Sequence, residues 1–104
     1  MISATRRGVR IVRVAGESMR PTLRSGDVLL VRTRARVRAG RLVIVRLPDG
    51  VVAVKRATHR VPEGWWVERD NPAVGVDSWQ VGAVAEAEVL GLVLARIWPW
   101  RRRG

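Results

Sequence analysis

The stretch Pro48–Thr58, PDGVVAVKRAT, decides how the rest of the chain is read. Asp49-Gly50 is a hairpin-turn pair, and the valine-rich run behind it favours extended backbone. Alternation along that run puts Val51, Ala53, Lys55 and Ala57 on one face, and Val52, Val54, Arg56 and Thr58 on the other. The lysine therefore shares its face with small apolar residues, the side expected to point inward. Working outward, Val9–Val14, Val28–Arg32, Leu42–Leu47, Trp65–Glu68 and Val89–Arg96 read as further strands. Turn residues bound them at Gly26-Asp27, Gly40, Gly64 and Asp70-Asn71-Pro72. Val84–Glu88 reads as a single helical turn. Many short strands at close spacing predict an all-β chain: a compact bent sheet or partly open β-barrel with one or two short helical turns.

The 104 residues make one domain, 1–104, with residues 1–8 and 99–104 expected to be flexible ends. There is no cysteine and one histidine, which excludes disulfides, thiolate metal sites and multi-histidine centres. Neither a metal nor a cofactor is expected. No apolar run approaches the roughly 18 residues of a membrane span, and the N-terminus lacks the apolar core of a signal peptide. The expected location is cytoplasmic. Net charge is +11, which attracts polyanions or acidic partners and says nothing of the fold. Arg32, Arg34, Arg36 and Arg38 recur at period two, which reads as a charged edge strand kept from pairing with other chains. The alternative is a basic stripe for an acidic partner or nucleic acid. The C-terminal VLGLVLARIWPWRRRG joins an apolar strand to Trp98, Trp100 and three arginines. A solvated end is the simpler reading, and weak contact with an acidic membrane surface is the other.

Of the 20 basic residues only Lys55 is a lysine. From a reference pKa near 10.4, about 1 lysine in 2,500 is neutral at pH 7. Lowering that pKa to about 7 takes roughly 4–5 kcal/mol of differential desolvation, which an apolar pocket can supply. Arginine cannot substitute, because guanidinium keeps its proton. Lys55 is thus either a dry general base or a snorkelling surface lysine. Ser18 poses a matching choice. In GESMRPTL, Gly16 allows backbone geometries closed to other residues and Pro21 fixes the chain just beyond. Ser18 is either a turn serine bonded locally or a nucleophile on a rigid corner, its own N–H facing an oxyanion. His59, four residues beyond Lys55, lies too far along the strand to serve the same serine and reads as structural or solvent-facing. GESMR also lacks the second glycine of a nucleophile elbow.

GESMRPTLRSGDVLLV resembles the serine box of the signal peptidase I family and its LexA-like relatives, serine peptidases with a Ser/Lys dyad. VVAVKRA resembles the lysine box, and ERDNPAVGVDSWQVGAV, residues 68–84, the last box. Three boxes in order over most of the chain make the likeness specific. It implies the catalytic-core fold of that family, with Ser18 and Lys55 catalytic. Gly16, Met19, Pro21, Asp70, Asn71, Asp77 and Ser78 would be oxyanion or active-site support. Asp70, Asn71, Asp77 and Ser78 would form the wall around Lys55. The tryptophan pair before Asp-Asn and the Asn71-Pro72 step most resemble the nickel-type superoxide dismutase maturation proteases. That likeness implies a protein substrate with an extended N-terminal leader, the nickel superoxide dismutase precursor, bound as an added strand.

Four positions depart from the pattern. Gly16 stands where membrane signal peptidases carry a hydroxyl residue, so an oxyanion hole would rest on backbone N–H groups, chiefly that of Ser18. Gly75 stands in place of a serine near the lysine. Trp79 replaces the arginine that pairs with the aspartate of Asp-Ser, and Arg69 replaces the glycine before Asp-Asn. What supports Lys55 and what partners Asp77 are left open. Two other functions compete with leader removal: a LexA-like self-cleaving module or anchorless signal peptidase, and a non-enzymatic basic β-barrel binding nucleic acid. With Phe and Tyr absent, stacking platforms in the latter would fall to the tryptophans, and nucleic acid is the less expected partner.

Overall fold

The structure, a computed structural model, describes residues 2–6 and 8–99. Seven strands, β1 (Ile2–Arg6), β2 (Val9–Arg13), β3 (Val28–Arg32), β4 (Leu42–Arg46), β5 (Val52–Val61), β6 (Gly64–Glu68) and β7 (Val89–Trp98), form one sheet. A four-residue helix α1 (Ser78–Val81) and a 3-10 turn (Glu86–Glu88) precede the last strand. The strand order is β1-β2-β3-β7-β4-β5-β6, every neighbouring pair antiparallel. The chain is therefore mainly β, as its turn spacing predicts.

The hairpin at Asp49-Gly50 forms, with Arg46 opposite Val52 and Leu42 opposite Arg56. Strand β4 reads as an uninterrupted apolar run because both of its faces are covered. Ile44 enters one core cluster with Val12, Met19, Leu29 and Val54, whereas Val43 and Val45 enter another with Ala57, Trp65 and Val67. Strand β7 is the keystone of the connectivity. It lies between β3 and β4, and so joins the β1–β3 part of the sheet to the β4–β6 part.

Some expectations change. Residues 1–8 read as a flexible end, yet the backbone of Ile2–Arg6 pairs with β2. Apart from Pro99, the expected C-terminal flexible end, 99–104, lies outside the described residues. Helix α1 has no counterpart in the sequence reading. The arginine stripe is not a strand: Arg34 has φ 58°, and residues 33–40 run irregularly. Period two survives all the same, because Ala35 and Val37 pack on the core while Arg32, Arg34, Arg36 and Arg38 stay exposed. The edge at β6 is covered rather than charged. Trp65 and Val84 exchange two backbone hydrogen bonds of 2.8 Å, and the Val67 N–H donates to the Ser78 hydroxyl at 2.9 Å.

Double-sided burial of β4 is testable. Ile44→Ala should lose about 2–5 kcal/mol of unfolding free energy in urea, whereas Arg36→Ala should stay within about 0.5 kcal/mol of the parent.

Candidate active site

Ser18 sits on the corner that links β2 to β3. The neck of this corner is closed by Val14 N–H to Asp27 O and Gly26 N–H to Val14 O, both 2.8 Å. Within it, Met19 (2% exposed) and Leu23 (4%) plunge into the first core cluster and fix the turn from below. Gly16 has φ +84° with open space where a Cβ would stand, so conformation rather than crowding calls for glycine here. Pro21 is exposed, and the Arg20–Pro21 peptide bond is cis.

Lys55 lies on β5 opposite Val43 and is 2% exposed, on the inward face that alternation assigns to it. Its Nζ donates to Ser18 Oγ at 3.0 Å, across 37 residues of chain. Burial pushes the Lys55 amine below its ordinary pKa; Asp77 and Asp49 pull it back up, and Arg69 opposes them. Both residues line a cleft of about 580 Å³ whose wall is otherwise mostly apolar, with Val12, Val14, Ile44, Leu47, Val52 and Val54 among its residues. The cleft thus holds a nucleophile-type hydroxyl, a dry amine and an apolar bed beside them.

None of Asp70, Asn71, Asp77 and Ser78 lines the cleft beside Lys55, as their motif implies they would, although the Asp77 charge still acts on the amine. The segment Val74–Val76 lines the cleft instead. A Cβ at position 75 would lie 2.8 Å from the Cβ of Ser18 and 3.7 Å from Lys55 Nζ, and Gly75 has φ +85°. Glycine is therefore what lets this backbone lie directly against Ser18 and Lys55, and a serine would collide there. Asp70 and Asn71 grip the serine corner from outside. Asn71 N–H donates to Ser18 O at 2.8 Å and its Nδ2 to Glu17 O at 3.0 Å. The Thr22 hydroxyl donates to the Asp70 carboxylate, and Arg56 meets that carboxylate with Nε at 2.9 Å and Nη2 at 2.7 Å. Ser78 is buried under β6, away from the cleft wall.

The partner of Asp77 is Arg69. Its backbone N–H donates to Asp77 Oδ2 at 2.9 Å and its guanidinium lies 3.6 Å from Oδ1. Trp79 turns outward, 71% exposed, with its indole N–H on Glu68 at 2.8 Å. His59 is exposed and stacks on Trp66 at 6.2 Å, as its distance along β5 from Lys55 requires. Among the described residues no cluster of three or more His, Cys, Asp or Glu side chains suits a metal, and no helix is long and apolar enough to cross a membrane. Sequence reasoning missed Thr22 and Arg56 as tethers. The signal was available: Arg56 is the outward neighbour of Lys55, one residue out of phase with it.

An open antiparallel sheet that brings a serine hydroxyl to a buried lysine amine defines a candidate serine–lysine hydrolase. Comparison with known proteins supports the coarser class, a peptidase. Residues 2–94 match the Peptidase S24-like family, and the chain belongs to it. It is also 30% identical over 116 aligned positions to the mitochondrial inner membrane protease subunit 1 of Xenopus tropicalis, an alignment covering 86% of this chain and 69% of that protein. The protein is therefore a peptidase of the signal peptidase I and LexA type.

The Arg56–Asp70 pair holds the Asp70 carboxyl below its ordinary value of 3.8. The stability it contributes is present above that value and is lost as pH falls through the lower folded one. Asp70→Asn should cost on the order of 1–2 kcal/mol at pH 7, and the gap to the parent should close in thermal melts near pH 2.

Proposed function

We propose that this peptidase cleaves by a Ser18/Lys55 dyad. The observation that carries the reading is the 3.0 Å hydrogen bond between a 2% exposed amine and a half-buried hydroxyl. Neutral Lys55 accepts the Ser18 proton as the alkoxide forms a bond to the carbonyl carbon of the scissile peptide. The resulting oxyanion needs donors, and the Ser18 N–H makes no hydrogen bond among the described residues. Protonated Lys55 then hands its proton to the leaving amine, and an acyl-enzyme remains on Ser18. Lys55, neutral again, draws a proton from water, which adds to the ester carbonyl and releases the new carboxylate with Ser18 restored.

Strand β5 offers the substrate a place. Odd residues from Val51 to Ala57 bond towards β4, and β6 pairing begins only at Arg56. The backbone groups of Val52 and Val54 therefore form a free edge leading to Lys55, suited to an extended peptide added as a strand. Val51, Val52 and Val74 expose 52%, 44% and 44% of their surface at this cleft and favour an apolar peptide. The substrate proposed is a precursor protein with an N-terminal leader, in particular that of a nickel-containing superoxide dismutase. Support for that choice is the likeness of Trp65-Trp66 and Asp70-Asn71-Pro72 to the maturation proteases. A second partner is an acidic membrane surface. Leu94, Ile97 and Trp98 expose 42%, 47% and 55% at the end of β7, the Arg13 guanidinium lies 5.9 Å from the Trp98 ring, and the sequence continues into Trp100 and Arg101–Arg103.

Purified Ser18→Ala should remain folded and cleave no leader from the dismutase precursor, and Lys55→Arg should lose about 10²–10⁴ in rate. Activity of the parent should rise with pH as Lys55 sheds its proton, with a midpoint below 10.5. Full cleavage by either variant refutes the dyad, whereas cleavage of other leaders but not this one redirects the substrate alone. In co-sedimentation, vesicles containing phosphatidylserine should retain the chain, and Trp98→Ala should weaken retention several-fold relative to the parent.

A further inference from the structure

The family pattern places an arginine directly after Asp-Ser and a glycine before Asp-Asn; this chain has Trp79 and Arg69 there. The structure turns two apparent losses into one exchange. We infer that Arg69 is the positioning residue of the Ser18–Lys55 pair: delivered from the opposite end of the loop, its guanidinium occupies Asp77 and straps the segment that lays Gly75 over the dyad. This inference rests on the dyad reading above.

The contacts describe a strap. Arg69 Nη1 donates to Gln80 Oε1 at 2.8 Å and lies 3.6 Å from Asp77 Oδ1, while Nη2 donates to Pro72 O at 3.2 Å. One side chain thus ties residue 72 to residues 77 and 80, and Gly75 lies between them. Gln80 Oε1 also accepts from the Asp77 N–H at 3.0 Å, closing the same ring. The electrostatic need is equally specific. Asp77 is 3% exposed, and a buried carboxylate left to itself would hold a nearby ammonium in the charged form. Lys55 would then be a salt-bridge cation rather than a base. Three charged groups act on Lys55: Asp77 and Asp49 favour its proton, and Arg69 opposes it. A guanidinium is the right counter-charge because it never gives up its own proton. Arg69 Nε is buried without a partner among the described residues. An orphaned buried donor is costly, a poor arrangement for stability alone. With the guanidinium supplied from position 69, Trp79 is released to the surface.

Lys55 is the only lysine, so protein labelled with 13Cε-lysine gives one side-chain resonance whose titration needs no substrate. In the parent, that midpoint should lie below the ordinary lysine value. Arg69→Gln, which keeps hydrogen-bonding capacity and removes the charge, should raise it by about one pH unit or more. Adding Asp77→Asn to Arg69→Gln should bring it back down. Returning the arginine to the family position, in Arg69→Gly/Trp79→Arg, should likewise restore a low midpoint together with leader cleavage. An unchanged midpoint in Arg69→Gln overturns the inference, as does a folded relocated variant with a high midpoint. Failure of both variants to fold assigns Arg69 to the fold and overturns it too. A parent midpoint at the ordinary lysine value instead removes the base assignment beneath it.

Discussion

Burying an amine while holding it against a hydroxyl is the constraint that organises the described part of this molecule. Strand β5 supplies Lys55 from its inward face, where burial disfavours the ammonium. The β2–β3 corner supplies Ser18 at 3.0 Å, pinned from inside by Met19 and Leu23 and from outside by Asp70 and Asn71. Water must be excluded from one side by side chains and from the other by backbone. Gly75 is the residue that lets backbone do so at contact distance.

Charge at the site is arranged in two layers with different tasks. The Arg56–Asp70 pair, reinforced by the Thr22 hydroxyl, acts on geometry: it ties the serine corner to β5 one residue from the lysine. The Arg69–Asp77 pair acts on the amine itself, through field and through the loop it closes. An excess of arginine serves such an arrangement. Guanidinium forms forked contacts with carboxylates without competing as a proton donor in the pH range where a lysine base works. The net charge of +11 is thus a poor guide to a nucleic-acid role, because two arginines nearest the site, Arg56 and Arg69, are spent on internal carboxylates.

Much of this was readable from local chemistry. Val51–Thr58 carries the period of a strand and an inward lysine, and the spacing of turn residues gives the sheet its elements. The part that stayed hidden depends on contacts between distant residues. No local pattern says that β7 enters between β3 and β4. Motif position suggested that Asp70, Asn71 and Ser78 surround the lysine, but hydrogen-bond demand sends each elsewhere, to the serine corner or to the exposed edge of β6. Helix α1 was missed because four residues are too few to show an apolar period; its one local sign is the capping box of Asp77 and Gln80. The arginine run from residue 32 to 38 misled for the opposite reason. Its alternation is genuine, yet it arises from Ala35 and Val37 packing under an irregular segment.

The central place of β7 has a consequence for the order in which the sheet can close. The hydroxyl belongs to one flank of the sheet and the amine to the other, and the strand that welds the flanks together is synthesised after both. Without β7 the β1–β3 and β4–β6 parts share no backbone ladder, and only side-chain packing and the Asn71 and Asp70 contacts reach across. Such contacts across long sequence separation form late and slowly. Ser18 and Lys55 thus meet across a seam whose backbone pairing is completed by the last described strand.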